Sequence, residues 1–281
     1  MPDNVRPSIR PLSELNLIDN FLFSTLMENP EIAEKLTRII LKRTLGYVPE
    51  KFSIETQKKF NGIDMDKHGI HLDVLVKETD ETNTVKTIYD IEPNVYYEKY
   101  IAKRNRYYNA LVDVKLLNAS AGYSTLPELT TIWILPYDPF GDKKMIYTIK
   151  NIVEENPDIV YNDGIKTIIL NASAAIGSSG ELENLLNFMV DSDKEDLDFE
   201  LAEIKSAIQT IKGNSEVGEE YMSMQTAMYY EKKMSYEEGE QRGIEIGERR
   251  GEQRGIENLT QRLLELGVDK EILEKAKTPQ L

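Results

Sequence analysis

Ile70-His71-Leu72-Asp73-Val74-Leu75-Val76-Lys77, and then, past the polar stretch Glu78 to Asn83, Val85-Lys86-Thr87-Ile88-Tyr89-Asp90-Ile91-Glu92 ahead of Pro93, decide how this chain is read. In the first segment Ile70, Leu72, Val74 and Val76 alternate with His71, Asp73, Leu75 and Lys77, the period-two pattern of a strand. In the second, Ile88, Asp90 and Glu92 fall on one face and Val85, Thr87, Tyr89 and Ile91 on the other. Pro93, with no N–H to give a ladder, is read as its end. The polar stretch between them makes the pair a hairpin. A charged residue in an otherwise apolar strand is costly unless it is paired or bound to metal. A hairpin brings Asp73 and Glu92 within reach of one ion, and a divalent cation relieves the repulsion of two close carboxylates. The alternative places both acids on the solvent side of an amphipathic sheet. Asp90 shares the face of Glu92 and so leaves neither acid singled out.

Working outward, Leu15, Ile18, Phe21, Leu22 and Leu26, then Ile32, Leu36, Ile39 and Ile40, follow helical spacing interrupted at Asn29-Pro30, which predicts two short helices. Lys51 to Phe60 is a weak strand candidate. Tyr96 to Leu117, without Gly or Pro, predicts a long helix, and Thr130 to Leu135, closed by Pro136, a short buried strand. Met145 to Ile149 and Lys166 to Leu170 predict two more strands, Leu182 to Met189 and Phe199 to Ile211 two helices, and the acidic Asp191 to Asp198 a loop. The expected fold class is α/β. The expected divisions are a core over 1–175, a helical region over 176–235 and a charged tail over 236–281.

The chain has 281 residues with no cysteine and two histidines, so a disulfide framework, a thiol nucleophile and a Cys-based zinc site are excluded. Any metal would be held by oxygen, which favours Mg2+, Mn2+ or Ca2+ over zinc. Neither a signal-peptide pattern nor an apolar run long enough to span a bilayer is present, so a soluble, cytoplasmic protein is expected, with no membrane partner. The net charge is −15, unevenly spread: residues 1–150 hold 20 Lys and Arg against 21 Asp and Glu, and the remainder 14 against 28. Such a balance argues against a generic nucleic-acid binder, because that binding rests on cations neutralising phosphates. Any nucleic-acid function must therefore be local and metal-assisted. A metal held by Asp73 and Glu92 can activate water and stabilise charge on a phosphodiester under attack.

Lys99, Lys103, Arg104 and Arg106 are interleaved with Tyr96, Tyr97, Tyr100, Tyr107 and Tyr108. Positions 99, 103 and 106 share a helical face suited to a phosphate backbone, although a solvated basic face with tyrosines packed behind it fits equally. His71 reads as a satisfied strand histidine, His68 as a turn residue, and Asp64 and Asp66 as loop acids. No Gly-rich phosphate loop, nucleophile elbow or His-Glu-x-x-His occurs, which disfavours an NTPase, an α/β-hydrolase or a zincin. Glycines at 239, 243, 247, 251 and 255 recur every fourth residue and would trace a slowly turning stripe on a helix, with Glu238–Arg242 and Glu245–Arg249 as supporting pairs. Either close packing of that stripe against a partner or a partly frayed linker to a last helix over Leu259–Ala276 accounts for it.

Leu72-Asp73-Val74-Leu75-Val76-Lys77, Tyr89-Asp90-Ile91-Glu92-Pro93-Asn94 and Lys103-Arg104-Asn105-Arg106-Tyr107-Tyr108, taken in order, resemble the bacterial recombination-promoting nuclease and transposase-like family of the PD-(D/E)XK nuclease superfamily. Asp19-Asn20-Phe21-Leu22-Phe23, Gly122 to Pro127, Ile132 to Leu135, Asp163 to Asn171, Glu181 to Met189 and the glycine-spaced tail extend the resemblance from about residue 12 to the end. The resemblance implies a restriction-endonuclease-like αβα core and a Mg2+-dependent DNA endonuclease acting in recombination or mobile-element biology, with Mn2+ or Ca2+ as alternative ions. It makes Asp73 and Glu92 metal ligands, Asn94 the group that positions water, Lys103, Arg104 and Arg106 the DNA contacts, and Asp19 or Glu34 a third acid. One departure stands out, because the family has Glu, an apolar residue and Gln where this chain has Glu92-Pro93-Asn94. A catalytically silent copy that binds DNA or protein through its helical tail is the competing expectation, as is homo-oligomerisation through that tail.

Overall fold

The computed structural model describes residues 10–60, 69–177 and 180–277, so Asp64, Asp66 and His68 lie outside the described residues. The elements run α1 (Asn20–Met27), α2 (Pro30–Leu45), β1 (Phe52–Phe60), β2 (Ile70–Thr79), β3 (Val85–Pro93), α3 (Ile101–Leu116), β4 (Glu128–Leu135), β5 (Ile146–Ile149), β6 (Ile165–Asn171), α4 (Glu181–Val190), α5 (Phe199–Lys212), α6 (Ser215–Glu265) and α7 (Lys270–Lys277). The six strands form one mixed sheet in the order β1-β2-β3-β4-β6-β5. β1, β2 and β3 are antiparallel neighbours, whereas β3, β4 and β6 run parallel and β5 closes the far edge antiparallel to β6. The long connection through α3 makes the parallel β3–β4 pair reachable, as parallel neighbours require.

The β2–β3 hairpin forms because Asp80 organises its turn: the carboxylate accepts the N–H of Thr82 and of Thr84, and Asn83 takes φ +62°. β3 runs one residue past the expected end. The N–H of Asn94 bonds the Ile134 carbonyl on the β4 side, so the nitrogen of Pro93 faces β2, where pairing has already stopped at Val74–Ile91. No ladder bond is lost to the proline. On one face Leu75, Ile88 and Leu129 pack with Leu111 and Val112 of α3, and Trp133, Leu135 and Ile169 pack with Ile101. Val74, Val76, Tyr89, Ile91, Ile132 and Ile134 are buried on the other, where the Tyr89 hydroxyl meets that of Tyr47, just past α2. Each such large apolar side chain removed from water stabilises the fold by roughly 1.5–3 kcal/mol.

Asn29 caps α2 by accepting from the N–H groups of Glu31 and Ile32, with Pro30 in the first turn, and Gly46 ends it at φ +82°. From α2 the buried Arg43 reaches the Glu181 carbonyl at 3.0 Å, Asp198 at 2.8 Å and Glu200 at 3.1 Å, and so ties α4 and α5 to α2. The chain divides into two compact units, Arg10–Tyr221 and the segment from Met222 onward. α4 and α5 thus share the unit that contains the sheet. The tail is helical without a frayed stretch through Glu265, which differs from the linker alternative. The expected last helix is split, because Gly267 at φ +86° and the Val268 N–H to Leu263 carbonyl bond form a Schellman stop. Among the described residues no helix is long and apolar enough to cross a membrane.

Candidate active site

Three carboxyls meet where the antiparallel hairpin joins the parallel half of the sheet. Asp73, Asp90 and Glu92 are 5%, 1% and 2% exposed, so the solvent-facing alternative for Asp73 and Glu92 does not hold. α3 covers that side of the sheet: the strand partners of Asp90 and Glu92 on β4 are Thr131 and Trp133, and these donate to Asn109 and Asn105 of α3 at 2.8 and 2.9 Å. Glu92 Oε1 accepts the N–H of Asp73 at 2.9 Å, which fixes the two acids to each other. Gln57, at φ +52° in β1, turns its amide toward both Ser24 of α1 and Asp73, the latter at 3.5 Å.

Burial pushes the Asp73 carboxyl up to about 6 against the opposing pull of Gln57 and Arg104. Burial, with the charge of Asp73 added, pushes Asp90 up to about 8. Glu92 is raised well above the ordinary carboxylate range by burial and then by Asp90 and Asp73. As carboxylates, both oxygens of Asp90 are buried without a hydrogen-bond partner, and Asp90 pairs with Glu92 only when the two share a proton. The cation acting on all three acids is Arg104, whose guanidinium lies 5.0 Å from the Trp133 ring and 5.1 Å from the Tyr108 ring and donates to the Tyr108 hydroxyl at 2.9 Å. Three ionised carboxylates against one guanidinium leave a negative excess in a low-dielectric pocket, relieved by protons or by a hard cation.

The donor chemistry suits such a cation: all oxygen, buried, with two orphaned atoms on Asp90. Among the described residues no group of three or more His, Asp or Glu side chains is placed to hold a metal ion together, Asp73, Asp90 and Glu92 included, so an ion here would rest on Asp73 and Glu92 and take its remaining oxygens from water or phosphate. The two proposed third acids are engaged elsewhere. Asp19, at the N-terminal end of α1 without a side-chain cap bond, pairs with Arg10 and accepts the N–H of Asn16 at 2.7 Å. Glu34 pairs with Arg38 at 2.8 Å, and Arg38 stacks on Phe52, five residues along β1 from Gln57 and thus about 17 Å away along the strand.

The basic residues separate. Arg104 turns inward to the acids, whereas Lys103 and Arg106 are exposed on α3. Lys99 precedes the helix and does not share its face, because α3 starts at Ile101 and not Tyr96. The Asn94 amide, assigned by the resemblance to water, donates instead to the Tyr96 carbonyl at 2.9 Å. His71 is exposed, with Nε2 3.1 Å from the Gln57 carbonyl, in keeping with a satisfied strand histidine. Sequence reasoning missed Gln57 and set Asp90 aside. The signal for Asp90 was its parity with Glu92, whereas Gln57 carried none. Comparison with protein-family models, with curated proteins and with solved structures finds no match to this chain.

Proposed function

We propose that the chain is a divalent-metal-dependent DNA endonuclease with a restriction-endonuclease-like core, as its motifs' resemblance to the recombination-promoting nucleases suggests. The observation that carries the reading is the buried Asp73–Asp90–Glu92 cluster with its unpartnered oxygens, a costly arrangement that a structural role does not require. Asp73 and Glu92 would hold the ion, Mg2+ by preference, and the ion when bound supplies an activated water and charge neutralisation. Asp90 would hold the proton balance of the pair. Arg104, fixed by Trp133 and Tyr108, would orient the scissile phosphate, and Lys103 and Arg106 would meet flanking phosphates. The tail from Met222 onward would serve self-association. Nicking of supercoiled plasmid with Mg2+ or Mn2+ at low salt tests the reading. Asp73→Ala and Glu92→Gln should each cut at least about a hundredfold more slowly, the scale of removing one electrostatic contact to a transition state.

A second reading, a folded but silent copy that binds DNA or protein, is favoured by one observation, the engagement of the Asn94 amide with Tyr96. If the wild type and both variants leave the plasmid intact while folded, the silent copy replaces the enzyme.

A further inference from the structure

We propose that Tyr96, Tyr97 and Tyr100 form a stacking platform for unpaired bases, so that the nucleic acid taken by this site is single-stranded or locally melted DNA. The inference rests on the reading of the acid cluster as a DNA site.

The three rings are 75%, 73% and 55% exposed within five consecutive residues. Clustered exposed aromatics mark interaction surfaces, and here the accompanying charge selects the partner. The Nζ atoms of Lys99 and Lys103 stand 5.3 and 5.4 Å from the Tyr100 ring, and Arg106 is exposed on the following turn. Among the described residues no carboxylate lies within ion-pair distance of these cations. The one acid of the segment, Glu98, uses Oε1 to accept the Tyr100 N–H at 2.8 Å. Exposed rings flanked by cations that no described carboxylate neutralises match a sugar-phosphate chain whose bases are free to stack, whereas a duplex hides its base faces.

The platform is also held in place. The Tyr96 carbonyl accepts from the Asn94 amide at 2.9 Å and from the Tyr137 hydroxyl at 3.2 Å. The same hydroxyl accepts the Glu98 N–H at 3.0 Å, and the Tyr137 ring lies 5.2 Å from that of Tyr97. Such bracing removes the ordering cost that a mobile loop would add to binding. It gives Asn94 a positioning role one step removed from the acids. The platform starts four residues past Glu92, and the Tyr100 carbonyl accepts the Arg104 N–H at 3.0 Å, so a strand stacked on it lies one helical turn from the guanidinium that faces the carboxyls.

The test is fluorescence anisotropy of the full chain with metal chelated, using a short oligothymidylate, an oligouridylate of equal length and a mixed-sequence duplex. Oligothymidylate should bind at least about tenfold tighter than the duplex, and Tyr96→Ala with Tyr100→Ala should lose on the order of tenfold per ring. Tyr96→Phe with Tyr100→Phe should keep the affinity, and the duplex should respond to neither pair. Equal affinity for single strand and duplex, or indifference to the alanine pair, overturns the platform, and plasmid nicking that persists beside that result leaves the nuclease reading standing. Tighter binding of oligouridylate overturns the assignment to DNA. If none of the probes binds and plasmid is not nicked, both readings fall together.

Discussion

Asp90 is the most confined of the three acids, and its confinement has a thermodynamic sign. A carboxyl raised above its unfolded value binds more protons in the native state across the interval between the two, so stability falls as pH climbs through that interval. The interval reaches about 6 for Asp73 and about 8 for Asp90, and Glu92 acts in the same direction. Carboxyls lowered by their partners, such as Asp198 beside Arg43, act oppositely but only in more acid solution. The metal-free protein should therefore melt at a higher temperature near about pH 5 than above about pH 8, and Asp90→Asn should flatten the slope and raise the alkaline Tm by a few degrees. Melts followed by circular dichroism in chelator and in Mg2+ check this; parallel slopes for the two proteins would remove the cluster as their origin. Alternation marked Asp73, Asp90 and Glu92 alike as acids in apolar strands and ranked none of them, since it cannot tell a solvated face from one roofed by α3; the resemblance, not the spacing, favoured Asp73 and Glu92. Gln57 was hidden because a left-handed turn of backbone at a residue other than Gly or Asn leaves no compositional mark.

At the scale of elements, the glycine stripe of α6 is unexplained by the chain's own packing. A methyl group added at Gly239, Gly243, Gly247, Gly251 or Gly255 would meet nothing within 4 Å. Each glycine thus gives up about 1 kcal/mol of helix stability relative to alanine without an internal return. The self-association proposed for the tail would supply the reason, through close contact of the stripe with a second copy. Gly243→Ala with Gly247→Ala should raise the helical signal yet lower the mass seen by light scattering to that of a chain truncated after Tyr236. A mass unchanged in both would sink self-association through the stripe. The strands and most helices were legible to within a few residues from their periods of two and of about three to four. α3 begins later than its composition suggests because Glu98, Tyr137 and Asn94 hold the preceding turn. The first half of α6 went unread because its mixture of Met, Tyr and Glu presents no apolar face.

At the scale of the whole molecule, the Arg10–Tyr221 unit depends on a cation that no motif singles out. Arg43 joins three helices through one guanidinium, with partners that remain partly exposed. Arg43→Ala should destabilise this unit by about 2 kcal/mol, the scale of hydrogen bonds to charged groups, and lower its Tm by roughly 4–8 °C, read by calorimetry. A Tm within a degree or so of wild type would show the three helices to be held by their apolar contacts alone. The edges of the sheet raise a different matter. Among the described residues β1 is an edge strand nine residues long, the sort of border to which a stray strand from another molecule can add. Gln57 interrupts it midway, between the Thr56–Val74 and Lys58–Leu72 pairs. The twist that aims an amide at Asp73 therefore also breaks the regularity of that border, and would make it a poorer template for a stray strand while it shapes the acid pocket.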